Sequence, residues 1–404
     1  MTHNRAPSHR TIVSTACCQR PWAAIVAATV LILPLGSVYA FSVFLRPIEQ
    51  ELHIPRSALS MVFGMATIGF VIGSVAVPYA FRRVSAELLT FICALATSLG
   101  IAMAALAQDF PTLLAGYGIV FGTGAGAGYI VLQQGANLLV RSRKGLLNGY
   151  FIALYPAGAV IAAPVFNWCN ETFGYRTTLA GLSATLLTTG LIAVALTFFA
   201  GTRLTLVGSA GPHPDPSKLG ATFLRLCTVF FLAAAAGLTV LSQAKEIVVA
   251  YGGDAATAVA TTTAIAAAIA CARLSGGFLV DRFPIPFVAT GAHSLALCGA
   301  VILSLWPRPE TAAIALGMIG VGYGFVSGTT AGGVALYWPP FEYGRIAART
   351  NIAWCCAALS LPVLAGFLFD LTGTYTTTIL IAGCGNLLGI VVALGLPRAR
   401  RETP

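Results

Sequence analysis

"GTRLTLVGSAGPHPDPSKLG" (residues 201–220) is the only long polar stretch between apolar runs in this chain, and it falls at the middle. Six apolar runs precede it, near 22–45, 57–81, 88–107, 111–132, 146–167 and 177–200. Six follow it, near 220–244, 255–280, 287–306, 311–336, 346–369 and 377–397. A helix crossing ~30 Å of hydrocarbon needs about 20 apolar residues, and every run is long enough. The pattern predicts an all-α membrane protein with twelve transmembrane helices in two six-helix bundles. The bundles are expected over 22–200 and 220–397, with a linker over 201–219 and tails over 1–21 and 398–404.

Composition agrees. Of 404 residues, 57% are hydrophobic and only 9% charged, whereas soluble domains carry about 25% charged residues. A net charge of +10 would point to nucleic acid in a soluble protein. Here the cations sit in short loops between apolar runs, so the lipid bilayer is the expected partner and nucleic acid is not. With an even number of spans both termini share one side. Sixteen of the 23 Lys and Arg residues fall on the side of the termini and five on the other. The positive-inside rule then predicts cytosolic termini and a cytosolic linker, in a cell membrane such as a bacterial inner membrane. The tail over 1–21 lacks an apolar core and reads as a cytosolic segment rather than a signal peptide.

The two remaining cations, Arg273 and Arg349, lie inside apolar runs, and none of the 13 carboxylates does. Arg273 is the deeper, in "TTTAIAAAIACARLSGGFLVDRF" (261–283). An unpaired guanidinium at membrane depth is costly, and a carboxylate that comes and goes would compensate it bidentately. The competing reading is an Arg that snorkels to the interface. Arg349, one turn into the eleventh run, is assigned to snorkelling.

No reading as an enzyme is supported. There is no phosphate loop, no Ser/His/Asp arrangement and no metal-ligand spacing, so no cofactor or metal is expected. Ten cysteines are scattered, mostly in apolar runs and without a CxxC pair, and read as packing residues. His293, in the ninth run, reads as a satisfied or lumen-facing histidine rather than a coupling group. Glycines in the fourth run (Gly122, Gly124, Gly128) recur 200 residues later in the tenth (Gly322, Gly324, Gly328), suggesting that the halves repeat one another. A repeat of six plus six helices is the architecture of alternating-access carriers.

"GGFLVDRF" (276–283) closes the eighth run and resembles the cytosolic loop signature of the major facilitator superfamily, with Gly277, Asp281 and Arg282 matching it. The resemblance implies the major facilitator fold and a gating role for those three residues, with Asp281 and Arg282 in a charge link at a helix end. After the second run the match fails: "GSVAVPYAFRR" (73–83) keeps Gly73, Arg82 and Arg83 but has Val77 where the acid would stand.

"GSVYAFSVFLRPIEQEL" (36–52) and "GAGAGYIVLQQ" (124–134) look like segments of oxalate–formate antiporters and their monocarboxylate-transporter relatives. "RSRKGLLNG" (141–149) is similar to the loop before their fifth helix, and "GFLFDLTGTY" (366–375) is shared across the superfamily. In those families an Arg of the eighth helix binds the substrate carboxylate, and Arg273 matches that position. It stands eight residues, roughly 12 Å, before Asp281. Tyr39 and Tyr129 fall in the resembling motifs, where aromatics line the cavity, and Trp354 and Asn351 are added as binding candidates. Gln133, Gln134, Tyr150 and Tyr155 are weighed with them and read as packing. Oxalate-type antiporters use a second cation in the eleventh helix, absent here, which favours a monoanion. Proton-coupled relatives carry an Asp where this chain has Ile269, so exchange or uniport is expected.

The sequence therefore predicts a monomeric carrier of a small organic anion, a monocarboxylate. The alternative is an exporter of drugs or other neutral or cationic compounds. A receptor-like protein that does not transport is a further rival.

Overall fold

A computed structural model describes residues 20–204 and 216–398. Most of the two expected tails and the middle of the 201–219 linker lie outside the described residues. Among the described residues twelve helices are long and apolar enough to cross a membrane. We number them α1 (Pro21–Ala40), α2 (Ala58–Ala80), α3 (Ala86–Leu106), α4 (Phe110–Leu139), α5 (Lys144–Phe173) and α6 (Tyr175–Ala200) in the first half. The second half holds α7 (Gly220–Ala250), α8 (Ala255–Arg282), α9 (Ile285–Leu305), α10 (Pro309–Tyr337), α11 (Pro340–Thr372) and α12 (Thr376–Leu394). The helix carrying α7 already starts at Pro216, so the last residues of the expected linker are helical.

Departures from regular helix follow local chemistry. The expected run 22–45 is divided: a 3-10 turn at Gly36–Ala40 ends α1, and a separate helix, Ser42–Leu52, follows. The turn falls just after Pro34, which lacks an N–H. In α11 the expected single run 346–369 breaks between Ala358 and Leu361. Pro362 sits in the first turn of the next segment, where a missing N–H is tolerated and helix continuation from behind is not. In α4 the stretch Leu114–Phe121 is π-helical, a widening often found beside functional sites. Outside the membrane, Asp254 caps α8 by accepting from Thr257 N–H at 2.8 Å and from the Thr257 hydroxyl at 2.7 Å. Those bonds, the backbone one foremost, hold the Asp254 carboxyl below the usual carboxylate range.

With little hydrophobic drive between helices in lipid, small residues permit close approach. Here the halves echo one another, though not at the displacement read from the glycines. On α4, a Cβ at Gly118, Gly122 or Gly126 would meet α2; on α10, one at Gly320, Gly324 or Gly328 would meet α8. Those faces are related by 202 residues rather than 200. Residues two apart on a helix point in nearly opposite directions, so the offset decides which neighbour each glycine touches.

The halves meet mainly through α5 against α8 and α10, and through α11 against α2 and α4. Most hydrogen bonds between them among the described residues gather at one end, the end bearing the basic loops with Arg82, Arg141 and Arg282. There Gly145 N–H and Leu146 N–H each donate to Asp281 at 2.8 Å. Gly344 N–H donates to Gln134 Oε1 at 2.6 Å. The structure is therefore closed at the basic end.

Candidate functional site

A cavity lies between the halves, midway along the membrane-spanning helices. Arg273 of α8 reaches it with its side chain 3% exposed. Its Nη1 donates to the Ile152 carbonyl of α5 at 3.1 Å. Its Nη2 donates to Tyr323 Oη of α10 at 2.9 Å. The guanidinium carbon lies 5.2 Å from the Tyr323 ring centroid, within cation–π range. Tyr323 Oη also accepts from Trp354 Nε1 of α11 at 3.2 Å. One helix of each half, α10 and α5, thus binds the guanidinium, and α11 is tied to it through Tyr323.

Those contacts leave the cation incompletely matched. Arg273 Nε is buried without a hydrogen-bond partner, as are Tyr155 Oη and Ser327 Oγ elsewhere in the lining. Among the described residues no carboxylate pairs with Arg273. Burying an unmatched donor on a charged group costs more than burying a neutral one. The lining therefore holds an unmatched donor on a buried cation.

The facing wall is aromatic. Tyr155 packs edge-on against Tyr39 and Tyr129, with ring centroids 5.8 and 5.4 Å apart. Trp354 stands 6.5 Å from Tyr39 and 6.2 Å from Phe70. Asn351 completes one side, its Nδ2 donating to Ser74 Oγ of α2 at 3.4 Å. All five binding candidates from the sequence, Arg273, Tyr39, Tyr129, Trp354 and Asn351, line this one cavity.

The three gating candidates stand apart from it, at the basic end. Gly277 faces Gly145 and Gly149 of α5 at backbone contact. Asp281 binds the first turn of α5 by two backbone N–H groups rather than serving only a charge link within its own loop. The Arg282 guanidinium lies over the Phe278 ring at 4.3 Å. Arg349 is exposed and does not line the cavity. His293 is fully buried between α9 and α12, its Nδ1 2.9 Å from Asn386 Oδ1, and is remote from the cavity lining.

Sequence reading passed over Tyr323, Ser327 and Ile152, and set Tyr155 aside as packing. Ile152 contributes only a carbonyl, which no side-chain pattern reveals. Tyr323 carried a usable signal: it lies in the glycine-rich face of α10 at the repeat position of Phe121, and both line the cavity.

Residues 26–359 match the Major Facilitator Superfamily. The chain belongs to that superfamily. Among its relatives, this facilitator is 24% identical over 298 residues to the uncharacterized MFS-type transporter YhjX of Escherichia coli K12, covering 71% of this chain and 72% of the relative. It is 26% identical over 339 residues to monocarboxylate transporter 11 of Mus musculus, covering 75% and 70%. Solved structures share the fold at 14% identity. They include the proton:xylose symporter XylE, with a TM-score of 0.74 over 94% of this chain and 96% of that one. The transporter FucP in its outward conformation gives 0.69 over 94% and 100%. The facilitator is accordingly a multi-pass membrane transporter and not an enzyme.

Proposed function

We propose that this transporter carries a small organic anion, a monocarboxylate, by alternating access between its two halves. The observation that carries the reading is Arg273: a buried guanidinium with an unsatisfied Nε–H and no carboxylate partner among the described residues. A substrate carboxylate would accept from that fork and remove the unpaired charge. Tyr39, Tyr129, Trp354 and Asn351 would enclose the remainder of the solute. The likeness to monocarboxylate transporter 11 supports the same substrate class.

The charge of the lining weighs against an exporter of cations. Among the described residues the cavity lining holds a cation and no acid, and its other walls are mostly aromatic, with no anionic partner for a positively charged solute. Among the described residues no carboxylate lines the cavity to relay a proton, so we assign exchange or uniport. Counterflow of labelled small carboxylates into substrate-loaded proteoliposomes should proceed without a pH gradient. Uptake strictly dependent on an inward proton gradient would overturn the coupling. Uptake of neutral or cationic compounds but no carboxylate would overturn the substrate class.

The charge split supports placing the closed, basic end in the cytosol. Reporter fusions at His213 and after Pro404 should both read cytosolic; an external signal from one alone would overturn the helix count, and from both would reverse the orientation.

A further inference from the structure

Gln134 lies near the basic end of α4 and is fully buried. Its Oε1 accepts from Gly344 N–H at 2.6 Å, and its Nε2 donates to the Pro340 carbonyl at 3.1 Å. Only one orientation of the amide satisfies both partners, since an N–H needs an acceptor and a carbonyl needs a donor. Gln134 belongs to the first half; Pro340 and Gly344 form the start of α11 in the second.

Across the same end the relation is mirrored. Asp281 of the second half accepts from Gly145 and Leu146 at the start of α5 in the first. The first N–H groups of any helix lack intrahelical partners, and here each half supplies one such partner to the other. The last turn of α2, where a second acid would complete the symmetry, offers Val77, Pro78 and Tyr79 instead. What that segment places beside Gly344 is the ring of Phe81: a Cβ on Gly344 would stand 2.9 Å from Phe81 Cε2 and 3.0 Å from Gln134 Oε1.

We propose that Gln134 replaces the missing acid as the second latch holding the two halves together at the basic end. The closed end is then fastened by one charged cap and one neutral cap. The neutral cap both donates and accepts, so it grips the chain on either side of the turn at Pro340–Glu342. Being uncharged, it is not weakened by salt, whereas a partly exposed charged contact is screened. Gln133 beside it adds a longer contact, accepting from the Tyr343 hydroxyl at 3.4 Å. The inference concerns the gate and stands whatever solute is carried.

Hydrogen–deuterium exchange on the purified full-length protein in detergent tests it. Gln134→Leu keeps the approximate size and removes both hydrogen bonds. A latch between the halves predicts faster exchange in the first turn of α11 and also in the first turn of α5, which Gln134 does not touch. The expected rise is on the order of tenfold in both, from two net hydrogen bonds, with little change in melting temperature. Gln134→Glu keeps the acceptor for Gly344 and loses the donor to Pro340, so intermediate exchange in both turns is expected. Faster exchange confined to α11 would make Gln134 a local helix cap and overturn the proposal. So would wild-type protection of α5 in both variants.

Discussion

Arg273→Gln should nearly abolish transport while leaving the protein folded. The side chain is 3% exposed and held by the Ile152 carbonyl and the Tyr323 hydroxyl, so removing the guanidinium leaves neutral partners behind rather than an unpaired charge. Losing a buried, charge-assisted hydrogen bond costs about 2–5 kcal/mol of binding, and substrate affinity should fall more than about tenfold. Melting temperature should hold or rise, because the variant no longer buries a cation without a counter-ion. Arg273→Lys should recover only part of the affinity, since an ammonium cannot reproduce the planar fork. Tyr323→Phe keeps the ring beneath the guanidinium and deletes the acceptor at 2.9 Å, so a smaller loss is expected. Substrate affinity and melting temperature measured together on the three variants check the series. An Arg273→Gln protein that transports normally would sink the anion assignment.

Gly277→Leu should stop the transport cycle for a different reason. A Cβ at Gly277 would fall within contact of Gly145 O and 2.6 Å from Gly149 Cα, so α8 and α5 must part to admit it. That crossing joins the two halves, and in the proposed alternating-access cycle it would part when the basic end opens. Overpacking costs about 1–3 kcal/mol. Applied to one conformation alone, that would shift the equilibrium between conformations roughly five- to hundredfold. Gly276→Leu is the internal comparison: its Cβ would meet the backbone of Phe325 within the same half, so it should lower the melting temperature itself. Counterflow rates and melting curves for both variants decide the matter. Equal loss of stability in the two would place Gly277 in the core of its half and not at the gate.

Much of this architecture was legible without coordinates. Whether a segment enters a bilayer depends on its own length and apolarity and on the basic residues flanking it. Those are local properties, so twelve runs and the depth of Arg273 could be read one stretch at a time. Arg273 stood out because so few charges enter the runs at all. The breaks were less legible: the 3-10 turn at Gly36 and the interruption near Ser360 depend on prolines whose neighbours could have accommodated a bend instead.

The sequence by itself determined which segments cross the membrane, that they fall into two sets of six, and which cation lies among them. Tertiary structure alone decided what that cation faces. Tyr323 and Ile152 lie 50 and 121 residues from Arg273, on other helices and partly in the other half. Helices in lipid are apolar on every side, so the sequence carries little record of their rotation. Rotation and register are set when small residues let backbones meet, as the 202-residue offset between the glycine faces of α4 and α10 illustrates. The pairing of Gln134 with Gly344 is of the same kind: it links residues 210 apart in sequence, across two halves that touch only when packed.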